Sequence, residues 1–280
     1  MKSSLPPDSA IVDLATWNIG GGIVGASHQR DGTPSPEYYA SVLRQQAPDV
    51  VCLQEAHDYF GFRESQPHYL ARQAGYPHVE LFRTSVSHLA KDANFALAVL
   101  SRFPITSTVY RQFPNPGRTG TGPNGQPWTL DDKGYLITRI GLGRHEIGLI
   151  NGHCFPLRHF GACATDTEFA EGWSMLARDM MTLRDSGPAL VAVDLNHAPI
   201  EDVLSAALGR DKYLNAFPSG TAVRGAKRDY VLYGPGMSLL SAVVIATESD
   251  HAYRQVRFLV EHSVPVADCP SGTRLGHSDM

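Results

Sequence analysis

The chain has 280 residues, a formal net charge of −4, and 42% hydrophobic residues. Those figures give one large domain or two small ones with a substantial core, and they exclude a disordered or fibrous chain. The basic residues form no long block, which argues against a protein held to extended duplex by a basic face. No run approaches the roughly 18–20 apolar residues of a membrane span, and the opening residues lack the apolar stretch of a secretory signal, so a cytoplasmic protein is expected. Cys52, Cys154, Cys163 and Cys269 show no paired spacing and read as ordinary thiols, not as a disulfide framework or zinc ligands.

In chain order, the apolar run Ile11–Trp17 predicts a buried strand that ends at Asn18. The Gly/Ser/Pro-rich stretch Gly20–Pro36 predicts a loop, Glu37–Gln46 a helix stopped before Pro48, and Val50–Leu53 a second strand ending in Gln54-Glu55. A helix near Glu64–Ala74 leads to a short strand at His78–Phe82. Phe95–Leu100 and Ile105–Tyr110 flank Ser101–Pro104 as a hairpin would. Asn115–Lys133, rich in Gly, Pro, Asn and Thr, reads as a long loop. Strands follow at Tyr135–Ile140 and His145–Asn151, then a helix at about Glu168–Arg184, the run Ala189–Val193, and a short helix near Ile200–Leu208. Strands at Tyr230–Tyr233, Leu239–Ala246 and Gln255–Val260 complete the pattern. Strands alternating with long helices, together with adjacent strand pairs, predict α/β layers on mixed sheets.

Five apolar runs end in a group able to hold a cation or move a proton: Asn18, Glu55, His153, Asp194 with Asn196, and Asp250-His251. Polar groups at strand mouths lie at a sheet's edge, and residues i and i+2 of extended backbone share a face, so Asp194 and Asn196 are expected to look into one cavity. Each signal also has a plainer reading. Asp194-Leu195-Asn196 equally suits an Asx turn, Asn18 a turn opener, His153 a structural histidine, and Ser249-Asp250-His251 a surface turn. A carboxylate directly after Val-Val-Cys-Leu-Gln is costly near a core unless paired or metal-bound. Asp229 is a candidate orienter for His251, because a base histidine needs its second ring nitrogen fixed.

In order, Thr16-Trp17-Asn18, Asp49 through Glu55, Leu100 through Ile105, Asn151-Gly152-His153, Asp194-Leu195-Asn196, Arg228-Asp229-Tyr230 and Ser249-Asp250-His251 resemble the endonuclease/exonuclease/phosphatase superfamily of divalent-metal phosphohydrolases. The resemblance spans residues 11 to 260 and rests on the ordered set more than on any one motif. It implies a four-layer α/β/β/α sandwich of two packed mixed β-sheets flanked by helices, in a single domain over 1–280 with its core at about 11–262. It also implies Glu55 as principal metal ligand, with Asn18 and Asp250 near the cation. Asp194 would position or deprotonate the attacking water, Asn196 would hydrogen-bond the scissile phosphate, His251 would pair with Asp229, and His153 would face the same phosphate. Histidine at 153 is similar to the deoxyribonuclease and sphingomyelinase branches rather than to abasic-site endonucleases. Val193 stands where members usually carry Gly, and Tyr253 where many carry Pro.

Oxygen and amide ligands without cysteine suit a hard cation, Mg²⁺ or Mn²⁺. The expected activity is hydrolysis of a phosphoester in a small molecule, a lipid head group or a nucleic acid by in-line attack of an activated water. A magnesium-dependent endo- or exonuclease and a non-catalytic scaffold of the same fold are the alternatives. Arg118 and Arg158 are candidate substrate contacts; Lys133 and His159 also lie in loops expected to border the site.

Overall fold

The computed structural model describes residues 9–24, 33–122, 125–217 and 228–261. Much of the expected loop Gly20–Pro36, and Cys269, lie outside the described residues. In chain order the elements are β1 (Ala10–Asn18), β2 (Ile23–Val24), β3 (Thr33–Pro34), α1 (Pro36–Gln46), β4 (Val50–Tyr59), α2 (Gln66–Ala74), β5 (His78–Val86), β6 (Ala93–Ser101), β7 (Ile105–Gln112), β8 (Thr119–Thr121) and β9 (Pro127–Thr129). Then come β10 (Gly134–Leu142), β11 (His145–His153), α3 (Ala170–Asp185), β12 (Ala189–Asp194), α4 (Glu201–Leu204), β13 (Leu214–Asn215), β14 (Asp229–Tyr233), β15 (Met237–Ile245) and β16 (Tyr253–Val260).

Ten of these strands and β13 and β14 form two six-stranded sheets, in the orders β15-β16-β1-β4-β6-β5 and β13-β14-β12-β11-β10-β7. Each is mixed in the same way. One central parallel pair, β1 with β4 or β11 with β12, is flanked by antiparallel neighbours. The first sheet draws its strands from both sides of the second in the sequence, whereas the second is built from the continuous stretch 105–233.

The apolar residues sort into three cores that make four layers. Val12, Leu14, Val50 and Val99 of the first sheet meet Leu149 and Leu190 of the second between the sheets. Trp17, Leu53 and Leu100 face Tyr39 and Leu43 of α1 and Leu70 of α2 on one outer side. Ile150, Val191 and Val193 face Trp173, Leu176 and Met180 of α3 on the other. Burying such side chains stabilises the fold by about 1.5–3 kcal/mol each. The α/β/β/α sandwich expected from the resemblance is therefore present.

Local chemistry explains the element ends. Helix α1 has proline in its first turn and stops at Ala47, left-handed at φ 48°, just before Pro48. Helix α2 starts two residues later than expected because the Ser65 side chain caps the His68 N–H, and it ends at Gly75, φ 77°.

The expected hairpin over Ser101–Pro104 does not form. β6 belongs to the first sheet and is paired on both sides, to β4 and to β5 across the turn Ser87–Asp92, while β7 pairs with β10 in the second sheet. With both edges of β6 occupied, Arg102–Pro104 becomes the passage between sheets, and Phe103 and Ile105 pack against the inter-sheet core. Within the expected loop Asn115–Lys133, β8 and β9 pair as a small hairpin.

Gly134 starts β10 with the β7 backbone where a side chain would have to go. A Cβ there would lie 2.1 Å from the Arg111 backbone oxygen on β7. Gly134→Ala is expected to push these strands apart and lower stability by about 1–3 kcal/mol, read as an earlier urea midpoint; an unchanged midpoint would refute the close approach.

Candidate functional site

A parallel pair needs a connection that returns the chain along the sheet, so both strands finish at the same edge. Helix α1 lies between β1 and β4 and helix α3 between β11 and β12, which places Asn18, His153 and Asp194 at strand ends; Gln54 is where the β1–β4 ladder stops, but β4 runs on through a bulge to Tyr59 instead of ending at Gln54-Glu55 as the sequence suggested. In the second sheet His153, Asp194 and Asp229 are successive register partners on β11, β12 and β14, and side chains in one row of a sheet share a face.

The sheets meet through buried side chains. Asn18 Nδ2 donates to Asp194 Oδ2 at 2.9 Å, and Asn18 Oδ1 accepts from Gly20 N–H at 3.0 Å. Gln54 Nε2 donates to Thr16 Oγ1 (3.0 Å) and across to Asn151 Oδ1 (2.7 Å). Next to it β4 bulges between Leu53 and Ala56, and Glu55 takes φ 52°. A left-handed non-glycine residue costs about 1–3 kcal/mol and persists only where its surroundings hold it. The distortion turns the Glu55 carboxylate toward His153, with Oε1 3.5 Å from Nε2.

His153 Nε2 is also 3.5 Å from Asp194 Oδ2 and 3.0 Å from Asn196 Nδ2. Asn196, at φ 53°, gives its backbone N–H to Asp194 Oδ1 (3.0 Å) and its side-chain amide to the Cys154 carbonyl (3.0 Å). The Asx turn, the plainer reading of this motif, is present, and the left-handed Asn196 departs from the extended backbone on which the expected shared face rested. His251 Nδ1 lies 3.1 and 3.0 Å from the two Asp229 oxygens, and its Nε2 lies 3.8 Å from Asp194 Oδ2. Ser249 secures the neighbouring turn: its hydroxyl donates to the Asn18 carbonyl (3.1 Å) and lies 3.3 Å from Asp250 Oδ1.

Burial dominates the electrostatics. It pushes the Asp194 carboxyl up to about 6, with Asp229 and Glu55 adding to the rise while His251 and the Asn18 bond oppose it. Burial holds the His153 imidazole well below its ordinary value, helped by the Lys133 ammonium. For His251 burial acts downward as well, but the carboxylates of Asp229, Asp194 and Asp250 outweigh it and hold the ring well above the usual histidine range. The sequence reading gave His251 a base's part; its surroundings favour the protonated ring. Burial also keeps the Cys154 thiol protonated, so it offers no thiolate ligand.

Asp194, Asp229 and His251 offer ligand atoms all within 4.8 Å of one another. The hydrogen bond between His251 and Asp229 already accounts for much of that closeness, so this trio does not displace Glu55, Asn18 and Asp250 as the candidate ligands.

Of the two candidate arginines, Arg118 is taken up by ion pairs with Glu168 and Asp166, the latter at 3.6 Å, beside a surface hollow lined by Thr165 and Thr167. Arg158 follows β11, its Nε 3.0 Å from His159 Nε2; burial lowers its pKa, Arg228 repels it, and Asp194 and Asp250 attract it. The sequence read Lys133 as a loop residue, but it is buried with Nζ 3.3 Å from His153 Nδ1 and 5.4 Å from the centre of the Phe95 ring. Among the described residues it has no carboxylate partner. No periodicity marks such a residue, because it precedes β10 in a polar stretch.

A sequence model of the endonuclease/exonuclease/phosphatase family matches residues 15–251. The chain belongs to this family. Among solved members, an endonuclease/exonuclease/phosphatase from Beutenbergia cavernae DSM 12333 is 20% identical over 90% of this chain and 72% of its own, with a TM-score of 0.64. The human Nocturnin catalytic domain with bound sulfate is 16% identical over 91% and 99%, TM-score 0.60. D. rerio TDP2 complexed with single strand DNA product is 14% identical over 89% and 99%, TM-score 0.59. At these identities the likenesses show the family's fold. No curated protein sequence matches the chain.

The two histidines make a pair of predictions of opposite sign for the metal-free protein. Lys133→Met removes a repelling ammonium, so His153 should take up its proton at higher pH than in the wild type. Asp229→Asn removes an attracting carboxylate, so His251 should lose its proton at lower pH. Ring-proton NMR titrations read both midpoints, and a midpoint that stays put in either variant contradicts the local field described.

Proposed function

We propose that this chain hydrolyses a phosphoester bond with the help of a bound divalent cation. Members of its family are phosphoester hydrolases. The observation that carries the reading is the continuous chain of contacts, each 3.8 Å or less, from Glu55 through His153 and Asp194 to His251 and Asp229, with Asn18 and Asn196 attached. A non-catalytic scaffold has no need to keep so many carboxylates and imidazoles together at this cost in burial.

The donor set fits a hard cation. The candidate ligands are carboxylate and amide oxygens, and the nearby Cys154 thiol stays protonated. Glu55, Asn18 and Asp250 would hold Mg²⁺ or Mn²⁺, which supplies neutralisation of phosphate charge and stabilisation of the departing oxygen. Asp194, fixed by Asn18 and by the Asn196 N–H, then positions the attacking water and accepts its proton. His153 and Asn196 face the scissile phosphate together, and burial and Lys133 keep that imidazole neutral. Asp229 holds Nδ1 of His251, leaving Nε2 beside Asp194 as a proton carrier. The overall charge, with no basic block, favours a small or lipid-like phosphoester over long duplex DNA.

The purified protein should cleave bis-p-nitrophenyl phosphate with Mg²⁺ or Mn²⁺, lose that activity in EDTA, and regain it when the ion is restored. Glu55→Ala and His251→Ala should each lower turnover roughly 100-fold or more while circular dichroism stays native; near-normal turnover by either folded variant would overturn the assignment. Parallel assays on phospholipids, sugar phosphates, plasmid and single-stranded DNA decide among substrate classes.

A further inference from the structure

We propose that Asn151 is a positioning residue for Glu55, and that it acts by supplying, from the second sheet, the hydrogen-bond donors that keep the β4 bulge in place. The proposal rests on the reading of Glu55 as a cation ligand.

The β4–β6 ladder pairs Leu53 with Ala98 and resumes at Ala56 with Ala96, so Gln54 and Glu55 together stand opposite Leu97 alone. Such a bulge interrupts the ladder and leaves backbone groups to be satisfied elsewhere. The two carbonyls at its lower edge, Leu53 O and Ala98 O, both accept from Asn151 Nδ2, at 3.0 and 2.8 Å. Asn151 Oδ1 accepts from Gln54 Nε2 at 2.7 Å, and Gln54 also reaches Thr16. Asn151 is fully buried on β11, so water does not compete for these bonds. One amide thus holds both strands of the bulge and the side chain preceding Glu55.

Only a primary amide meets these demands, because the site needs two N–H donors and an acceptor on one short side chain. Aspartate has the same shape but would set a carboxylate oxygen against two carbonyl oxygens. Asn151 and His153 are also two apart on β11 and share its face. The residue therefore sets the first sheet's Glu55 in register with the second sheet's His153, 3.5 Å away.

The test uses the full chain as wild type, Asn151→Ala, Asn151→Asp and, as a core control on the same strand, Leu149→Ala. Amide hydrogen exchange over residues 53–57 is measured without metal, and the Mn²⁺ dissociation constant by calorimetry. Both Asn151 variants should exchange faster across 53–57 and bind Mn²⁺ about 10–100-fold more weakly, as loss of an outer contact to a ligand typically does, whereas Leu149→Ala should do neither. If the Asn151 variants do not fold, Gln54→Met, which cuts the bond to Asn151 Oδ1 together with the one to Thr16 Oγ1 but leaves the Asn151 donors to Leu53 and Ala98 in place, should shift both readouts in the same direction by less. Unchanged exchange at 53–57, or the same losses in Leu149→Ala, overturns the proposal. Faster exchange with undiminished Mn²⁺ binding also overturns it, by separating the bulge from the cation. A wild type that binds no Mn²⁺ overturns it together with the functional reading, and the wild-type titration identifies that case before any variant is compared.

Discussion

The parallel strand pair is the constraint on which the rest of this structure depends. Antiparallel neighbours are joined by a tight turn and end at opposite edges, but a parallel pair spends a whole helix on its return and brings two strand mouths together. Each sheet uses this device once, at its centre, where burial on both faces is greatest. Stacking the sheets then brings three strand ends and the β4 bulge to one place, and the antiparallel neighbours β14 and β16 bring Asp229 and the turn that carries His251. No long-range design is needed beyond that geometry to gather residues more than 200 positions apart.

Gathering is not holding, however. Two apolar sheets can slide over one another, because hydrophobic contact is non-directional and fixes no single alignment. The pairs Asn18–Asp194 and Gln54–Asn151 cross the interface with directional bonds that only one alignment satisfies. Unpaired, these amides would be costly in a core. That cost makes them specific: the apolar interior supplies stability and the amides supply the alignment.

Much of this was legible in the sequence. The strand ends bearing Asn18, His153 and Asp194 were visible because a buried run followed by a polar or ionisable group breaks the usual pattern, whereas Glu55, read as a strand end, sits in a bulge inside β4; the order of the motifs pointed to the family. Less legible was anything that depended on which strand lies beside which. Phe95–Leu100 and Ile105–Tyr110 are adjacent in sequence with turn residues between them, and nothing local tells that β5 already occupies the edge β7 would need. Lys133 and Asn151 were hard to value for a related reason. A lysine in a polar stretch and an asparagine inside a strand acquire meaning only from partners on other strands, His153 in one case and a distorted segment of the opposite sheet in the other. Arg118 shows the reverse: its loop position suggested a ligand, but nearby acids had already claimed it.

The nesting of the two sheets carries a consequence for how the molecule is made. The strands from β7 to β14 form an unbroken stretch and can pair among themselves as soon as they exist, but β1 has to wait for β16, some 240 residues later, before its free side is covered. Contacts of such separation are slow to close and come late in assembly. Because the turn bearing Asp250 and His251 precedes that last strand, the candidate site is complete only when β16 has joined the first sheet. Closure of that sheet and assembly of the candidate site thus coincide in one event.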